Sequence, residues 1–165
     1  MYVLFNLVAV LVMERTLIIL KPCAIQRAII GEIINRFEKK GLLLVGMKMV
    51  WLTDEVLDEH YVHLQSKPFF NRIKDSMKSC PVIVCCWQGK EAISIVRKMV
   101  GVTNGRNAEI GTIRGDYSMS VQENIIHASD SPETAGVELE RFFHSDELFD
   151  YDLLAISRLY ANDEI

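Results

Sequence analysis

The sequence predicts a single α/β domain in which one β-sheet packs against helices. Short apolar runs typical of buried strands alternate with segments of helical periodicity, and turn residues separate the two kinds. No internal repeat, Pro/Ser-rich linker or long charge run divides the 165 residues, a length that supports a substantial core. The predicted order is βαβααβαβα, which favours an α/β sandwich of one sheet and its helices.

The first elements show clear starts and stops. Residues 16–20 (TLIIL) predict a strand that ends at Lys21-Pro22. Isoleucines and one phenylalanine at helical spacing predict a helix over residues 28–40, with Gly41 as its stop. Residues 42–52 are rich in β-forming side chains and predict a second strand.

The middle of the chain continues this alternation. Thr53-Asp54 begins a predicted helix towards Tyr61, and a second helix runs over residues 68–77. Residues 81–87 (PVIVCCW) form an apolar run that predicts a buried strand. Residues 90–100 have an amphipathic helical pattern.

The last part begins with a change in composition. Residues 101–116 contain four glycines and two asparagines, which predicts a long loop, and loops of this length are usually functional. Residues 121–126 predict a strand that ends at His127. Ser131-Pro132-Glu133 combines an N-cap, a proline at the first helical position and an early acid, which predicts a helix over residues 131–143.

The first twelve residues, MYVLFNLVAVLV, form an apolar N-terminal extension to the domain predicted over residues 13–165. They are too few for a transmembrane helix, which needs about 20 residues. They also have no basic region or cleavage site of a signal peptide. A strand, an adhesive arm, a membrane tether, or translation that starts at Met13 remain alternative interpretations.

Composition narrows the class of protein. The net charge of −4 argues against a non-specific nucleic-acid coat but is compatible with a local basic pocket. Cys23, Cys80, Cys85 and Cys86 form neither a CxxC pair nor a zinc-site spacing with histidine. Reduced structural thiols, and therefore a cytoplasmic protein, are the expectation.

Any phosphate site in this chain must be built from side chains. The sequence contains neither a GxxxxGK[ST] loop nor a GxGxxG motif after a strand. Lys21, Arg97 and Arg114 could converge on a triphosphate, with Thr103 and Asn124 as neutral donors. The alternative is that each cation lies on the solvated surface.

His127 is the candidate nucleophile. A predicted strand delivers its imidazole close to a helix N-terminus, and Glu138 on that helix could hold one ring nitrogen while the other faces a substrate. A hydrogen-bonded structural histidine is the alternative. His60, His63 and His144 show no comparable setting in the sequence.

Aromatic residues around a short segment between two predicted helices suggest a base site. His60-Tyr61 and Pro68-Phe69-Phe70 surround a short segment between two predicted helices, and such a pair could clamp a nucleobase by stacking. Core packing is the alternative for these side chains.

In this order and spacing, the motifs closely resemble the nucleoside diphosphate kinase family. The resemblance covers residues 14–152 almost without gaps and is carried by the following blocks: Glu14-Arg15-Thr16, Lys21-Pro22, Gln26-Arg27, Gly31-Glu32-Ile33, Arg36-Phe37-Glu38, His60-Tyr61, Lys67-Pro68-Phe69-Phe70, Thr103-Asn104, Gly111-Thr112-Ile113-Arg114-Gly115-Asp116, Asn124-Ile125-Ile126-His127 and Ser129-Asp130-Ser131.

The resemblance implies a ferredoxin-like α/β sandwich with a four-stranded antiparallel sheet. It also implies ping-pong transfer of a γ-phosphate between nucleotides through a phosphohistidine at His127, with little base specificity. Mg²⁺ is expected on the nucleotide phosphates rather than on protein ligands. The matching positions assign phosphate and ribose binding to Lys21, Tyr61, Arg97, Thr103, Arg114 and Asn124, base stacking to Phe69 with Leu64, and orientation of His127 to Glu138 and Ser129.

Three positions depart from the family pattern. Cys23-Ala24 stands where Asp-Gly is usual, Ala128 follows His127 in place of a glycine, and Gly105 replaces a proline. None removes a reacting group, although a weakly active or inactive nucleotide-binding scaffold is the alternative function. The resemblance further implies a homo-oligomer, with a hexamer favoured over a tetramer. Nucleoside di- and triphosphates are the expected partners, with no specific nucleic acid and no membrane.

Overall fold

The computed structural model describes residues 13–161, 163 and 164. Its sheet has four antiparallel strands in the order β2-β3-β1-β4. The strands are β1 (Met13–Leu20), β2 (Leu43–Val50), β3 (Val82–Lys90) and β4 (Ile126–Ala128). This sheet confirms the predicted ferredoxin-like sandwich. Residues 1–12, the predicted extension, lie outside the described residues, so the domain boundary at residue 13 stays a prediction.

Helices cover both faces of the sheet. In chain order they are α1 (Pro22–Gln26), α2 (Ile30–Lys40), α3 (Asp54–His60), α4 (Phe70–Met77), α5 (Ala92–Val100), α6 (Ile113–Tyr117), α7 (Pro132–Phe142) and α8 (Ile156–Leu159). Helices α2, α5 and α6 pack on one face, and α3, α4 and α7 on the other. Within the described residues, no helix is long and apolar enough to cross a membrane.

Strand β1 lies at the centre because both of its faces are apolar. Successive side chains of a strand point to opposite faces, so Leu17 and Ile19 enter one core while Ile18 and Leu20 enter the other. All four side chains are fully or almost fully buried. The strand pairs with β3 along its whole length and with β4 over only three residues.

Two helices carry the local signals that predicted them. Helix α2 ends at Gly41, whose φ of 93° is the left-handed conformation that glycine adopts most easily. Helix α7 begins after Ser131, whose hydroxyl accepts a hydrogen bond from the Thr134 amide, with Pro132 in the first turn. Both features fix where a helix begins or ends without help from the rest of the fold.

The structure corrects several predicted elements. The strand expected at residues 121–126 is wrong, because β4 begins only at Ile126 and the preceding Ile125 has a φ of 74°, which an extended strand does not permit. His127 therefore lies within the strand rather than beyond its tip. The loop expected at residues 101–116 contains a 3₁₀ turn at Gly105–Asn107 and the start of α6. Helices α1, α6 and α8 are additional to the predicted order.

Candidate active site

A cavity of about 860 Å³ opens beside β4, and its size is typical of a small-molecule site. One wall consists of His127 on β4 with Glu138 on α7. Another wall carries cationic and polar side chains from the end of β1, from α5 and from the segment 103–124. The mouth is lined by apolar residues before and within α4. The cavity brings together every side chain that the sequence predicted for catalysis or substrate binding except Ser129, which lies buried behind Glu138.

Glu138 holds one nitrogen of His127. The Nε2 atom of His127 lies 2.8 Å from Glu138 Oε1, and the Ser129 hydroxyl donates to Glu138 Oε2 over 2.5 Å. Ser129 Oγ in turn accepts a hydrogen bond from the Leu17 amide of β1 at 3.3 Å. If the carboxylate accepts a hydrogen bond from Nε2–H, the other nitrogen, Nδ1, keeps its lone pair. Nδ1 is then the ring nitrogen that Glu138 does not engage.

The environment keeps Glu138 ionised although its side chain is buried. Burial alone opposes ionisation, but the hydrogen bond from His127, the charge of His127 and the Ser129 hydrogen bond together lower the pKa of Glu138. An ionised Glu138 can accept a hydrogen bond from Nε2–H and stabilise positive charge on the imidazole ring.

His60 is buried against His127 rather than at the predicted base clamp, and the sequence analysis missed this contact. Its buried ring lies edge-on to His127, with 4.6 Å between ring centroids, and its Nδ1 is 3.6 Å from Glu138 Oε1. Burial, followed by the charge of His127, lowers the pKa of His60 to about 3. Arg141 Nη1 lies 3.4 Å from the same Nδ1 atom, and Nε2 is buried without a hydrogen-bond partner among the described residues. His60 is therefore an uncharged ring that packs against His127.

Lys21 lies half-buried in the cavity wall. Its ammonium group donates to Asn124 Oδ1 over 2.7 Å and lies 3.5 Å from the Gln122 carbonyl oxygen. Burial, followed by the positive charge of Arg114, lowers the pKa of Lys21 to about 8. Since both acceptors are neutral, a nearby anion would stabilise the charged form of this lysine.

Two arginines reach the same region of the cavity. The buried guanidinium of Arg114 donates to the carbonyl oxygens of Asn124, Gly101 and Ile126 over 3.3, 2.8 and 2.7 Å. Burial, followed by the charge of Arg97, lowers the pKa of Arg114 to about 10. Arg97, in the last turn of α5, donates to the Ala128 carbonyl oxygen over 3.3 Å. These bonds aim both guanidinium groups without neutralising them.

Three neutral polar residues, Tyr61, Thr103 and Asn124, line the cavity together with these cations. Tyr61 is buried, its hydroxyl has no hydrogen-bond partner among the described residues, and burial raises its pKa well above the usual value. Asn124 Nδ2 donates to the carbonyl oxygens of Thr103 and Val121 over 3.2 and 2.7 Å. An unpartnered buried hydroxyl is costly. A ligand oxygen within reach of Tyr61 would remove that cost.

The cavity mouth carries the predicted aromatic surface. Phe69 is 37% exposed beside the half-buried Leu64, and both line the cavity. Phe70 instead packs against the core under α4, as the alternative interpretation of core packing expected. The exposed ring of Phe69 is available to stack against a planar ligand.

The positions that depart from the family pattern fit the backbone. Ala24 is buried within α1, and Ala128 is buried in β4 opposite Ile18, so neither site requires a glycine. Gly105 does require one, because a Cβ there would lie 2.3 Å from the Ser118 carbonyl oxygen. The Gly105 amide also donates to the Ser120 carbonyl oxygen over 3.3 Å, which a proline could not do.

The described residues contain one cluster with metal-ligand chemistry, formed by His60, His127 and Glu138, whose candidate ligand atoms all lie within 4.8 Å of one another. The Arg141 guanidinium beside His60 Nδ1 opposes a cation there. The cationic wall, in contrast, has lysine, arginine, hydroxyl and amide groups, which suit phosphate oxygens and offer no carboxylate cage for Mg²⁺.

Known proteins are similar to this chain over most of its length. A family model described as nucleoside diphosphate kinase matches residues 14–148. The chain is 72% identical over 152 residues to a nucleoside diphosphate kinase of Parabacteroides distasonis, which covers 92% of this chain and 99% of that protein. A nucleoside diphosphate kinase of Pyrococcus abyssi is 50% identical over 141 residues and covers 84% of this chain and 89% of its own.

A solved structure gives the same result for the fold. The nucleoside diphosphate kinase of Halobacterium salinarum in complex with CDP aligns with a TM-score of 0.87 and 40% identity over 89% of this chain and 98% of that chain.

Proposed function

Because the chain belongs to the nucleoside diphosphate kinase family, we propose that it transfers the γ-phosphate of a nucleoside triphosphate to a nucleoside diphosphate through a phosphohistidine at His127. The observation that carries this proposal is a hydrogen-bonded relay in which Ser129 contacts Glu138 and Glu138 contacts His127. His127 lines a cavity whose other wall contains Lys21, Arg97 and Arg114. The proposed nucleophile and the proposed phosphate site therefore line the same cavity.

The first half-reaction forms one bond and breaks one. The Nδ1 lone pair of His127 attacks the γ-phosphorus, a P–N bond forms, and the bond from phosphorus to the β,γ-bridging oxygen breaks, so that the nucleoside diphosphate leaves. Glu138 holds the Nε2 proton and offsets the positive charge that develops on the ring. In the second half-reaction a terminal oxygen of another diphosphate attacks the same phosphorus and releases neutral His127.

The cationic wall supplies the electrostatic part of the mechanism. Phosphoryl transfer depends mainly on position and charge neutralisation, and Lys21, Arg97 and Arg114 can contact the oxygens in flight. The unpartnered Tyr61 hydroxyl can donate to a phosphate or ribose oxygen, and the Thr103 hydroxyl adds a second neutral donor. Asn124 positions Lys21 through its Oδ1 atom. Mg²⁺ bound to the nucleotide phosphates, rather than to protein ligands, would neutralise further charge when present.

Base binding is proposed at the cavity mouth. Stacking on Phe69 with Leu64 alongside uses the π-face that every base has, and it contributes about 1–3 kcal/mol per base. A site that relies mainly on stacking accepts different bases in turn. That tolerance suits a ping-pong reaction, in which donor and acceptor occupy one cavity successively.

We also propose a homo-oligomer, with a hexamer favoured, in the cytoplasm. Met47, Met49 and Trp51 expose more than half of their surface along the edge strand β2 and just after it, which supports association between chains. Cys85 and Cys86 lie buried in β3, where burial raises the pKa of each thiol to about 12, as expected for unreactive reduced thiols. Light scattering of the purified protein tests the assembly size.

The decisive test of the function is a phosphoenzyme assay. Wild type incubated with γ-labelled ATP and Mg²⁺ should acquire a label that is stable in alkali and labile in acid, and addition of a nucleoside diphosphate should release it as triphosphate. His127→Ala should acquire none, whereas His144→Ala, which changes an exposed histidine outside the cavity, should match wild type. Nucleotide binding without label would favour the scaffold alternative, and label retained in His127→Ala would refute the assignment.

A further inference from the structure

Two polar residues join the two sides of the cavity mouth. Arg72 on α4 donates from Nε to Gln122 Oε1 over 2.7 Å, and Gln122 Nε2 donates back to the Arg72 carbonyl oxygen over 3.1 Å. One contact uses the amide oxygen of Gln122 and the other its nitrogen, so the pair fixes the orientation of both side chains. Both residues line the cavity.

A second contact supports this bridge. The Ser76 hydroxyl, one turn further along α4, donates to Glu123 Oε1 over 2.6 Å. The segment that carries Gln122 and Glu123 also includes Asn124, which accepts a hydrogen bond from Lys21. Hydrogen bonds therefore connect Arg72, at the cavity mouth, to the segment that positions Lys21 in the cationic wall.

Arg72 lies next to the surface proposed for base stacking. Phe69 is the N-cap of α4 and Arg72 lies in its first turn, so both side chains extend from the same end of the helix, and both line the cavity. A ring stacked on Phe69 would thus direct an edge towards the Arg72 guanidinium. Both terminal nitrogens of Arg72 have no hydrogen-bond partner among the residues that the structure describes. A fixed fork of N–H donors consequently remains available at the base end.

We propose that Arg72, oriented by Gln122, is a specificity-determining residue that favours bases with an acceptor edge, guanine above all, over adenine. Guanine presents O6 and N7 as adjacent acceptors that an arginine fork can bind together, whereas adenine presents an N6 amino donor beside N7. Because Arg72 is solvent-exposed, the preference is modest, about three- to tenfold, and it is added to the tolerance that stacking provides.

This inference rests on the proposed function only in assuming that the base stacks at Phe69. Binding and turnover can therefore be measured separately. The dissociation constants of GDP and ADP are obtained by calorimetry, and the kcat/KM values of the two diphosphates as phosphate acceptors are compared. Wild type should favour GDP in both measurements.

The variants test the planar guanidinium group of Arg72 and its positive charge separately. Arg72→Lys keeps the positive charge but loses the planar fork, so the GDP/ADP ratio should fall towards one, as it should in Arg72→Ala. Gln122→Ala should lower the ratio partially, because the guanidinium loses its anchor. Lys67→Ala removes an exposed cation two residues before Phe69 that does not line the cavity, and it should keep the wild-type ratio.

Three results would overturn the inference. One is a wild-type affinity ratio near one, and another is a ratio that survives in Arg72→Ala. The third is an equal loss of GDP and ADP affinity in Arg72→Ala, which would assign Arg72 to phosphate binding instead. A GDP preference that depends on Arg72, in a protein that never forms phosphohistidine, would support the specificity role while refuting the proposed reaction.

Discussion

Replacement of Glu138 by glutamine tests the relay behind His127 most directly. The substitution preserves the shape of a side chain that is 5% exposed and removes the charge that lies 2.8 Å from Nε2. Hydrogen bonds to charged groups contribute about 1.5–3 kcal/mol. Since positive charge develops on the imidazole during transfer, most of that contribution should be lost from the transition state. At 1.4 kcal/mol per factor of ten, the phosphorylation rate should fall about 10- to 100-fold.

The glutamine amide could reduce the rate further. If its NH₂ group donates to Nε2, the imidazole proton must move to Nδ1, and the ring then has no lone pair for the γ-phosphorus. Nucleotide affinity should change by less than about threefold, because Glu138 contacts His127 and Ser129 rather than the cationic wall. A lower rate with nearly unchanged affinity is therefore the expected signature.

Rapid-quench single-turnover experiments with γ-labelled ATP measure the rate, and equilibrium binding of ADP measures the affinity. Glu140→Gln is the matched control, because this exposed residue lies on the same helix and makes the same change in net charge. If Glu138→Gln phosphorylates His127 as fast as Glu140→Gln does, the carboxylate does not assist the nucleophile and the relay reasoning fails.

Further outcomes follow from burial, charge and backbone geometry. The pKa of Lys21 near 8 predicts that nucleotide dissociation constants rise as the pH increases above about 8, and Lys21→Met should weaken binding and flatten this pH profile in titrations. Gly105→Ala should lower stability by about 1–3 kcal/mol in urea unfolding because of the Ser118 contact, whereas Gly136→Ala, at an open helical site, should raise it by about 1 kcal/mol. The pKa of Glu138 is lower in the folded protein than its value of about 4.3 in the unfolded chain, so its ionised form stabilises the fold at pH values above about 4.3. This stabilisation is lost as the pH falls through the folded pKa. Glu138→Gln should therefore lose less thermal stability than wild type over that acidic range. An acid profile of Glu138→Gln identical to that of wild type, or a pH-independent affinity in wild type, would contradict the corresponding reasoning.

Elements with local signals were predicted well from the sequence. Helix α2 needs only its apolar spacing and Gly41, and α7 needs only Ser131 and Pro132, to begin or end where they do. Strand β1 was predicted from its apolar run, although pairing with β3 extends it back to Met13. These signals act within a few residues, so a single sequence contains them.

Elements set by distant contacts were predicted less well. Strand β4 has only three residues, and it exists because it pairs with β1, more than a hundred residues earlier in the chain. The apolar run before it cannot continue the strand, since Ile125 adopts a positive φ and the carbonyls of Asn124 and Ile126 accept hydrogen bonds from Arg114. A side chain ten or more residues away in sequence thus decides where the strand begins.

The same limit applies to His60. Its sequence surroundings are those of an ordinary helix end, and its place behind His127 arises only when α3 packs against β4 and α7. The surroundings of His127 therefore include a residue whose local pattern gives no indication of this contact.

The cationic wall is a local excess of positive charge that the net charge of −4 does not reveal. The hydrogen bonds that orient Lys21, Arg97 and Arg114 end on an amide oxygen and on backbone carbonyls, so they position three positive charges without cancelling them. Burial, followed by the charge of Arg114, lowers the pKa of Lys21, and burial, followed by the charge of Arg97, lowers the pKa of Arg114. Glu138, in contrast, is engaged with His127 and Ser129 on the opposite wall. The buried negative charge thus contacts His127, the proposed nucleophile, while the cationic wall remains available to an anion, as the proposed polyphosphate substrate requires.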